Sequence, residues 1–206
     1  VWSREHCWIP RFVSEEQKLR FTCTYLTPVG ERALVLRLSV QNQSAEPRTV
    51  RFGTDGQWDQ TLHEVNETTE LTEGREAYES GWNHMFIFSQ KPGLPLFAFA
   101  PCVADPQQFA EIDQQARWNR SDFAYDIYRE TVLQPGETAV LDIPWGVGYE
   151  GVAASTSAKE LLRQGFDAVY DRTVRWLSAR EKPLADPKLH ELLNTNLFFA
   201  FFYASG

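Results

Sequence analysis

The feature that most constrains this chain is its last stretch, residues 186–206. Asp186-Pro187 predicts a helix start, because Asp can cap free amides and Pro fits the first helical position. Apolar residues then recur at helical spacing: Leu189, Leu192, Leu193 and Leu197. After Glu191 no charged residue remains, and the chain continues as Phe198-Phe199-Ala200-Phe201-Phe202. A helix that is apolar on every side has to be surrounded by protein or lipid.

Protein is the expected surrounding of this helix. Its apolar run is far shorter than the ~20 residues needed to span a bilayer, so no membrane partner is predicted. We therefore expect these residues to belong to a longer protein or to be enclosed by a partner.

Composition excludes one class of partner and favours another. The net charge is −8 and the isoelectric point is about 5.1, whereas binding to a nucleic-acid backbone requires clustered Lys and Arg. Aromatic residues make up 14% of the chain and include seven Trp. Flat aromatic rings stack on the apolar faces of pyranose sugars, so carbohydrate is the partner that this composition favours. Filling a core is still the more common role of any one Trp.

Nothing in the sequence predicts a metal, a cofactor or a catalytic set. Cys7, Cys23 and Cys102 are odd in number and lack C-x-x-C spacing, which argues against a zinc site or a disulfide framework. A Cys7–Cys23 bridge stays open, although buried free thiols are favoured. The four His residues show no metal-ligand spacing.

The first three-quarters of the chain has the pattern of β-structure. Residues 19–26 alternate, and in 34–41 Leu34, Leu36, Leu38 and Val40 share one face, which predicts a strand with one buried face. A turn at residues 134–137 introduces another strand over residues 138–145. Short polar turns between alternating segments indicate an antiparallel β-sandwich.

Residues 53–83 lack core periodicity and are rich in acidic side chains, which indicates long loops on the sandwich. Trp58 with Asp59 and Trp82 with Asn83 place ring faces beside hydrogen-bonding groups. We interpret these four residues as candidate substrate-binding residues. The alternatives are a solvated insertion and two Trp residues buried in a core.

The segment after the strands predicts a long linker helix from Ser157 to about Arg180. Glu160 would complete a capping box with Ser157, and Gly165 would weaken the middle of the helix. Gly146, Gly148 and Gly151 spell G-x-G-x-x-G before it. A dinucleotide site is rejected here, because the predicted helix does not open at these glycines and no strand follows to complete a βαβ unit.

The order of β-sandwich, linker helix and apolar helix resembles the N-terminal part of six-hairpin glycosidases, whose catalytic domain is an (α/α)₆ barrel. The resemblance rests on residues 173–177, Arg180 and above all 186–199. It implies a mainly β fold with C-terminal helices: a supersandwich-like domain in residues 1–152, a linker in 153–185 and the first barrel helix in 186–206.

The same resemblance implies that the partners are a carbohydrate and the remaining (α/α)₆ barrel. In that family two barrel carboxylates act as acid and base, and they would lie beyond Gly206, so no catalytic residue is assigned in this chain and no activity is expected of it alone. Asn194 and Asn196 would make buried hydrogen bonds or face the cleft, and Asn196 joins the candidate substrate-binding residues. The alternative function is a stand-alone carbohydrate-binding or scaffold module.

Overall fold

A computed structural model describes residues 1–6, 8–57, 61–63, 68–70, 75–79, 86–90, 98–101, 114–119 and 124–204, with side chains described in 1–6, 8–56 and 127–201. Within these ranges the strands are β1 Trp2–Glu5, β2 Ile9–Glu16, β3 Leu19–Leu26, β4 Ala33–Asn42, β5 Arg48–Gln57, β6 Thr61–His63, β7 Thr68–Glu70, β8 Arg75–Glu79, β9 Phe86–Gln90, β10 Ala98–Pro101, β11 Gln114–Asn119, β12 Ala124–Leu133 and β13 Thr138–Gly148. The helices are α1 Gly151–Gln164, α2 Phe166–Ser178 and α3 Pro187–Ala204.

The described strands form one large and two small antiparallel sheets. The large sheet has the order β1-β2-β3-β4-β13-β10-β9-β8, and a second sheet has the order β11-β12-β5. The strands β6 and β7 form a separate pair. Because every pairing is antiparallel, the strands are joined as predicted for a sandwich.

The sandwich core lies between the large sheet and the β11-β12-β5 sheet. β4 and β13 contribute alternate residues from one layer, and β5 and β12 contribute them from the other. The buried members of this core are Cys23, Leu36, Leu38, Val40, Val50, Phe52, Ile127, Leu133, Ala139, Leu141 and Ile143. The predicted antiparallel sandwich followed by helices is confirmed. Cys23 is a free thiol in this core, and burial raises its pKa.

The opposite face of the large sheet carries the helices, so the described residues form three layers. The helix-side core consists of Ile9, Leu26, Ala33, Val35, Leu161, Phe166, Val169, Leu177 and Phe198. The expectation that β4 buries only one face was therefore wrong at its beginning. Ala33 and Val35 point away from the sandwich core but are covered by helices, which a strand pattern alone does not reveal.

The predicted single helix from Ser157 to Arg180 is two helices. Gly165 adopts φ 79°, and its N–H bonds the carbonyls of Leu161 and Leu162, both at 3.1 Å. This left-handed conformation is cheap only for glycine, so Gly165 ends α1 and redirects the chain into α2. The helix also begins at Gly151, six residues before Ser157, which lies inside α1 rather than at its cap.

The glycines before α1 allow this helix to pack closely against β13. A Cβ on Gly146 would lie 1.9 Å from the carbonyl oxygen of Ala154, so glycine lets α1 sit directly on β13. The argument that no helix opens at these glycines was wrong, since α1 starts at Gly151. The dinucleotide motif is still excluded by topology, because β13 runs antiparallel to both β4 and β10.

Helix α3 begins as its sequence predicts. The Asp186 carboxylate accepts hydrogen bonds from the backbone N–H groups of Lys188 (2.8 Å) and Leu189 (3.3 Å). Within the described part of the chain, no helix has the length and apolarity required to cross a membrane.

Candidate functional site

The candidate substrate-binding residues fall in two groups. Trp58, Asp59, Trp82 and Asn83 lie outside the described residues. Asn196 lies on α3, is exposed, and donates from its side-chain nitrogen to the carbonyl of Leu192 at 2.8 Å. Among the described residues, no three His, Cys, Asp or Glu side chains come together in a way that would hold a metal ion.

Asn194 fastens α3 to the rest of the molecule. It is fully buried, and its side-chain oxygen accepts from the Lys182 N–H at 2.7 Å. Its side-chain nitrogen donates to the Lys182 carbonyl at 3.0 Å and to the His190 carbonyl at 2.9 Å. One amide thus satisfies both backbone groups of Lys182, in the connection between α2 and α3. The prediction of a buried hydrogen-bonding role is confirmed for Asn194.

Aromatic side chains on the same face of α3 pack against the rest of this chain. Phe198 is only 2% exposed and lies in the helix-side core, with its ring centroid 6.0 Å from that of Trp8. Phe201 meets Trp176 of α2 edge-on at 5.2 Å. Asn194, Phe198 and Phe201 therefore lie on one face of α3, and that face packs on this chain.

The other side of α3 is apolar and exposed. Leu189 is 55% exposed, Leu192 60% and Phe199 46%, although Phe199 also touches Trp8 edge-on at 5.1 Å. We call the set that shares this outward side the α3 stripe: Leu189, Leu192, Leu193, Asn196, Phe199 and Ala200. This side of α3 therefore exposes several apolar side chains to solvent together with the amide of Asn196.

Charged side chains attach α2 to the large sheet, and α3 in turn contacts α2 through Phe201 and Trp176. The Arg37 guanidinium of β4 forms a two-pronged pair with Asp142 at 2.7 and 2.8 Å, bonds Asp167 of α2, and lies 4.0 Å from the centre of the Phe166 ring. A two-pronged, partly buried pair of this type is more specific in geometry than an exposed one.

A second polar group joins β1 and β2 to α2. Glu5 accepts from Arg11 at 2.6 Å and from the Tyr170 hydroxyl at 2.7 Å. Burial raises the pKa of Glu5, but the hydrogen bonds from Tyr170 and Arg11 outweigh it, so the pKa is lowered overall. Burial and the bond to Glu5 raise the pKa of Tyr170 to about 12.

A cleft of about 590 Å³ opens beside β5, which is an edge strand of its sheet within the described residues. It lies between β5 and the part of the large sheet formed by β4, β3 and β2. Apolar and polar side chains both line it: Phe12, Ser14, Glu16, Gln17, Leu19, Phe21, Val40, Thr49, Val50, Arg51 and Phe52.

An aromatic group adjoins this cleft through Phe12, which is one of the lining residues. The Trp2 ring lies 5.2 Å from Phe12 and 5.6 Å from Tyr25, and Trp2 is 62% exposed. Sequence reasoning did not single out this region, because its rings come from three separate strands. Cleft volumes of this size are typical of small-molecule sites.

The comparisons with known proteins give a likeness in fold. No protein-family model matches the chain, and no curated protein matches its sequence. A putative kojibiose phosphorylase from human microbiome matches with a TM-score of 0.58 at 8% identity, covering 84% of this chain and 23% of that one.

Two further solved structures match more weakly. A polysaccharide lyase has a TM-score of 0.42 at 12% identity, covering 73% of this chain and 23% of that chain. The α-galactosidase AgaA from Geobacillus stearothermophilus has 0.39 at 15% identity, covering 72% and 25%. This chain thus corresponds to about a quarter of the length of these three carbohydrate-active proteins.

Proposed function

We propose that this chain is the non-catalytic β-sandwich and linker part of a carbohydrate-active enzyme, a glycoside hydrolase or a phosphorylase, whose catalysis resides in a helical domain. The supporting observation is the fold likeness that spans 84% of this chain and only 23% of a putative kojibiose phosphorylase. Because the identity is 8%, the step from fold to function is our proposal.

The arrangement of α3 supports the same proposal. Its inner face is fastened through Asn194 and Phe198, and its outer stripe exposes Leu189 and Leu192. A helix with one face on the helix-side core and one apolar face outward fits the first helix of an (α/α)₆ barrel of the six-hairpin type. We retain the division into a sandwich of residues 1–152, a linker of 153–185 and a barrel helix of 186–206.

The substrate in this proposal is an oligosaccharide or glycoside. Trp58, Asp59, Trp82 and Asn83 would lie closest to the sugar, with the Trp rings stacking and the Asp and Asn side chains forming hydrogen bonds. The catalytic carboxylates belong to the helical domain, so no residue of this chain is given a catalytic role.

Activity measurements test the proposal. The isolated chain and the full-length gene product are assayed on aryl glycosides and on disaccharides with inorganic phosphate. We expect turnover by the full-length protein only, and a raised KM when Trp58 or Trp82 is replaced by Ala in it. Turnover by the isolated chain that vanishes when an acidic residue between Asp55 and Glu79 is replaced would overturn the proposal.

A stand-alone carbohydrate-binding module is the second candidate, and the aromatic group of Trp2, Phe12 and Tyr25 beside the cleft favours it. In this case the isolated chain binds soluble oligosaccharides, and Trp2→Ala weakens that binding while leaving circular dichroism unchanged. A screen by isothermal titration calorimetry that finds no binding sugar removes this candidate.

A further inference from the structure

The face of the large sheet that forms the sandwich core continues beyond that core onto β3 and β2. Residues that are paired across neighbouring antiparallel strands share one face of a sheet. Ser14 of β2 pairs with Phe21 of β3, and Phe21 pairs with Val40 of β4, which is buried in the sandwich core. Ser14 and Phe21 therefore lie on the core side of the sheet and also line the open cleft beside β5. The cleft thus takes its lining from both sheets of the sandwich.

Along β2 the lining of the cleft changes from aromatic to polar. Alternate residues of a strand share a face, so Phe12, Ser14 and Glu16 follow one another along the cleft over about 13 Å. Trp2 pairs with Phe12 in the sheet and is exposed, although its ring also lies close to that of Tyr25. Contact with two neighbouring rings orients the Trp2 indole and leaves much of it open to solvent.

Polar side chains of the cleft keep their hydrogen-bonding capacity. Four of them form no hydrogen bond and no ion pair within the described residues: Ser14, Glu16, Gln17 and Thr49. Glu15, on the other face of β2, forms an ion pair with Arg20. The four cleft side chains supply a carboxylate, an amide and two hydroxyl groups, which together both donate and accept hydrogen bonds.

The formal charges of the cleft lining cancel. Glu16 and Arg51 are the charged residues that line it in the described part of the chain. The Arg51 guanidinium lies 3.8 Å from the centre of the Tyr128 ring, a cation–π contact that orients it. One carboxylate and one guanidinium give no net attraction for a charged ligand, and the net charge of −8 disfavours a polyanion. The electrostatics therefore fit a neutral ligand.

We propose that the cleft beside β5 binds a neutral di- or trisaccharide, with sugar ring faces against Phe12 and Trp2 and sugar hydroxyls bonded by Ser14 and Glu16. Sugars combine apolar ring faces with many hydroxyl groups, as this lining requires. The cleft volume of about 590 Å³ lies within the range of about 300–1,000 Å³ that is typical of small-molecule sites. The class of ligand rests on the proposed function, which this inference deepens by placing a sugar on the sandwich itself.

An extended peptide is the competing ligand for this cleft. Within the described residues β5 is an edge strand, and an edge strand can pair with an added strand. Such a peptide gains specificity from pockets for alternate side chains, whereas β2 presents one apolar group and two polar groups at Phe12, Ser14 and Glu16. The lining therefore favours the sugar.

The experiment uses the whole 206-residue chain and measures binding by amide shifts in nuclear magnetic resonance spectra and by isothermal titration calorimetry. The neutral probes are maltotriose, cellotriose, mannotriose and xylotriose. Trigalacturonate is the charged probe, and a peptide of alternating Val and Thr with the 10-residue length of β5 is the strand probe. We expect at least one neutral trisaccharide to shift the amides of Ser14, Phe21 and Thr49, and the other two probes to leave them unchanged.

Two variants test the two halves of the site. Glu16→Gln should weaken binding of the tightest neutral trisaccharide about tenfold, because a carboxylate accepts hydrogen bonds more strongly than an amide does. Trp2→Ala should also weaken it about tenfold, through loss of the ring contact. Glu15→Gln is the matched control, because it makes the same change on the opposite face of β2, and it should leave affinity within about twofold. Circular dichroism checks that each variant is folded.

Three results would overturn the inference. The first is that none of the neutral trisaccharides shifts the cleft amides. The second is that Glu16→Gln binds as tightly as the natural chain, or loses no more affinity than Glu15→Gln. The third is that the peptide shifts these amides and the sugars do not. Turnover by the full-length protein without sugar binding at the cleft would remove this inference and leave the proposed function standing, so the two failures are distinguishable.

Discussion

Replacing Asn194 by Leu tests how α3 is held. Leu has the same branched arrangement of heavy atoms as Asn and is somewhat larger, so no cavity forms, but all side-chain hydrogen bonds to Lys182 and His190 are lost. The N–H and carbonyl of Lys182 then lose their partners at a partly buried site, at about 1–2 kcal/mol for each group. We expect the free energy of local opening of α3 to fall by about 2–4 kcal/mol, since solvent reaches part of the site once it opens.

Native-state hydrogen exchange measures that free energy directly. Amides of α3 should exchange about 30- to 1,000-fold faster in Asn194→Leu, while amides of β4 and β13 in the sandwich core keep their rates. Asn196→Leu on the exposed side of the same helix is the control and should change α3 exchange by less than about 0.5 kcal/mol in the isolated chain. Equal exchange rates in the natural chain and in Asn194→Leu would refute the fastening role of Asn194.

Other changes probe the remaining contacts. Phe198→Ala should lower the free energy of unfolding in a denaturant titration by about 3–5 kcal/mol, whereas its half-exposed neighbour Phe199→Ala should cost about 1 kcal/mol; equal costs would contradict the assignment of the two faces. Gly146→Ala should cost about 3 kcal/mol in the same titration, because the added Cβ meets the backbone of α1, and an unchanged midpoint would refute this packing. The lowered pKa of Glu5 means that its contribution to stability is present above the ordinary value of 4.5 and is lost as pH falls through the lower folded value. Glu5→Gln should therefore flatten the acid side of a plot of stability against pH, and an unchanged acid side would show that Glu5 does not contribute to it.

Local patterns were sufficient for the elements with a distinct signal. The alternation of Leu36, Leu38 and Val40 predicted β4, and Asp186-Pro187 predicted the start of α3, because both signals lie within a few consecutive residues. For Asn194 the resemblance left two roles open, a buried hydrogen bond or a position facing the cleft, and the structure shows the buried hydrogen bond. These features depend mainly on neighbours along the chain.

Features that depend on distant parts of the chain were not predicted. Ala33 and Val35 are buried by helices that follow more than 100 residues later in sequence. From the sequence, Gly165 was expected only to weaken a helix. Its positive φ depends on how α1 and α2 pack on one sheet, and the local sequence does not show that packing. The cleft beside β5 likewise combines residues from β2, β3, β4 and β5, which are separate in the sequence.

The central claim is that the outer face of α3 docks a helical domain of a carbohydrate-active enzyme. Hydroxyl-radical footprinting of the isolated chain and of the full-length gene product tests it most directly, because Leu and Phe side chains are labelled according to their exposure. We predict that Leu189, Leu192 and Phe199 are labelled strongly in the isolated chain and are protected several-fold in the full-length protein, whereas Phe198 is protected in both. Equal labelling of Leu189 and Leu192 in the two proteins would contradict the account.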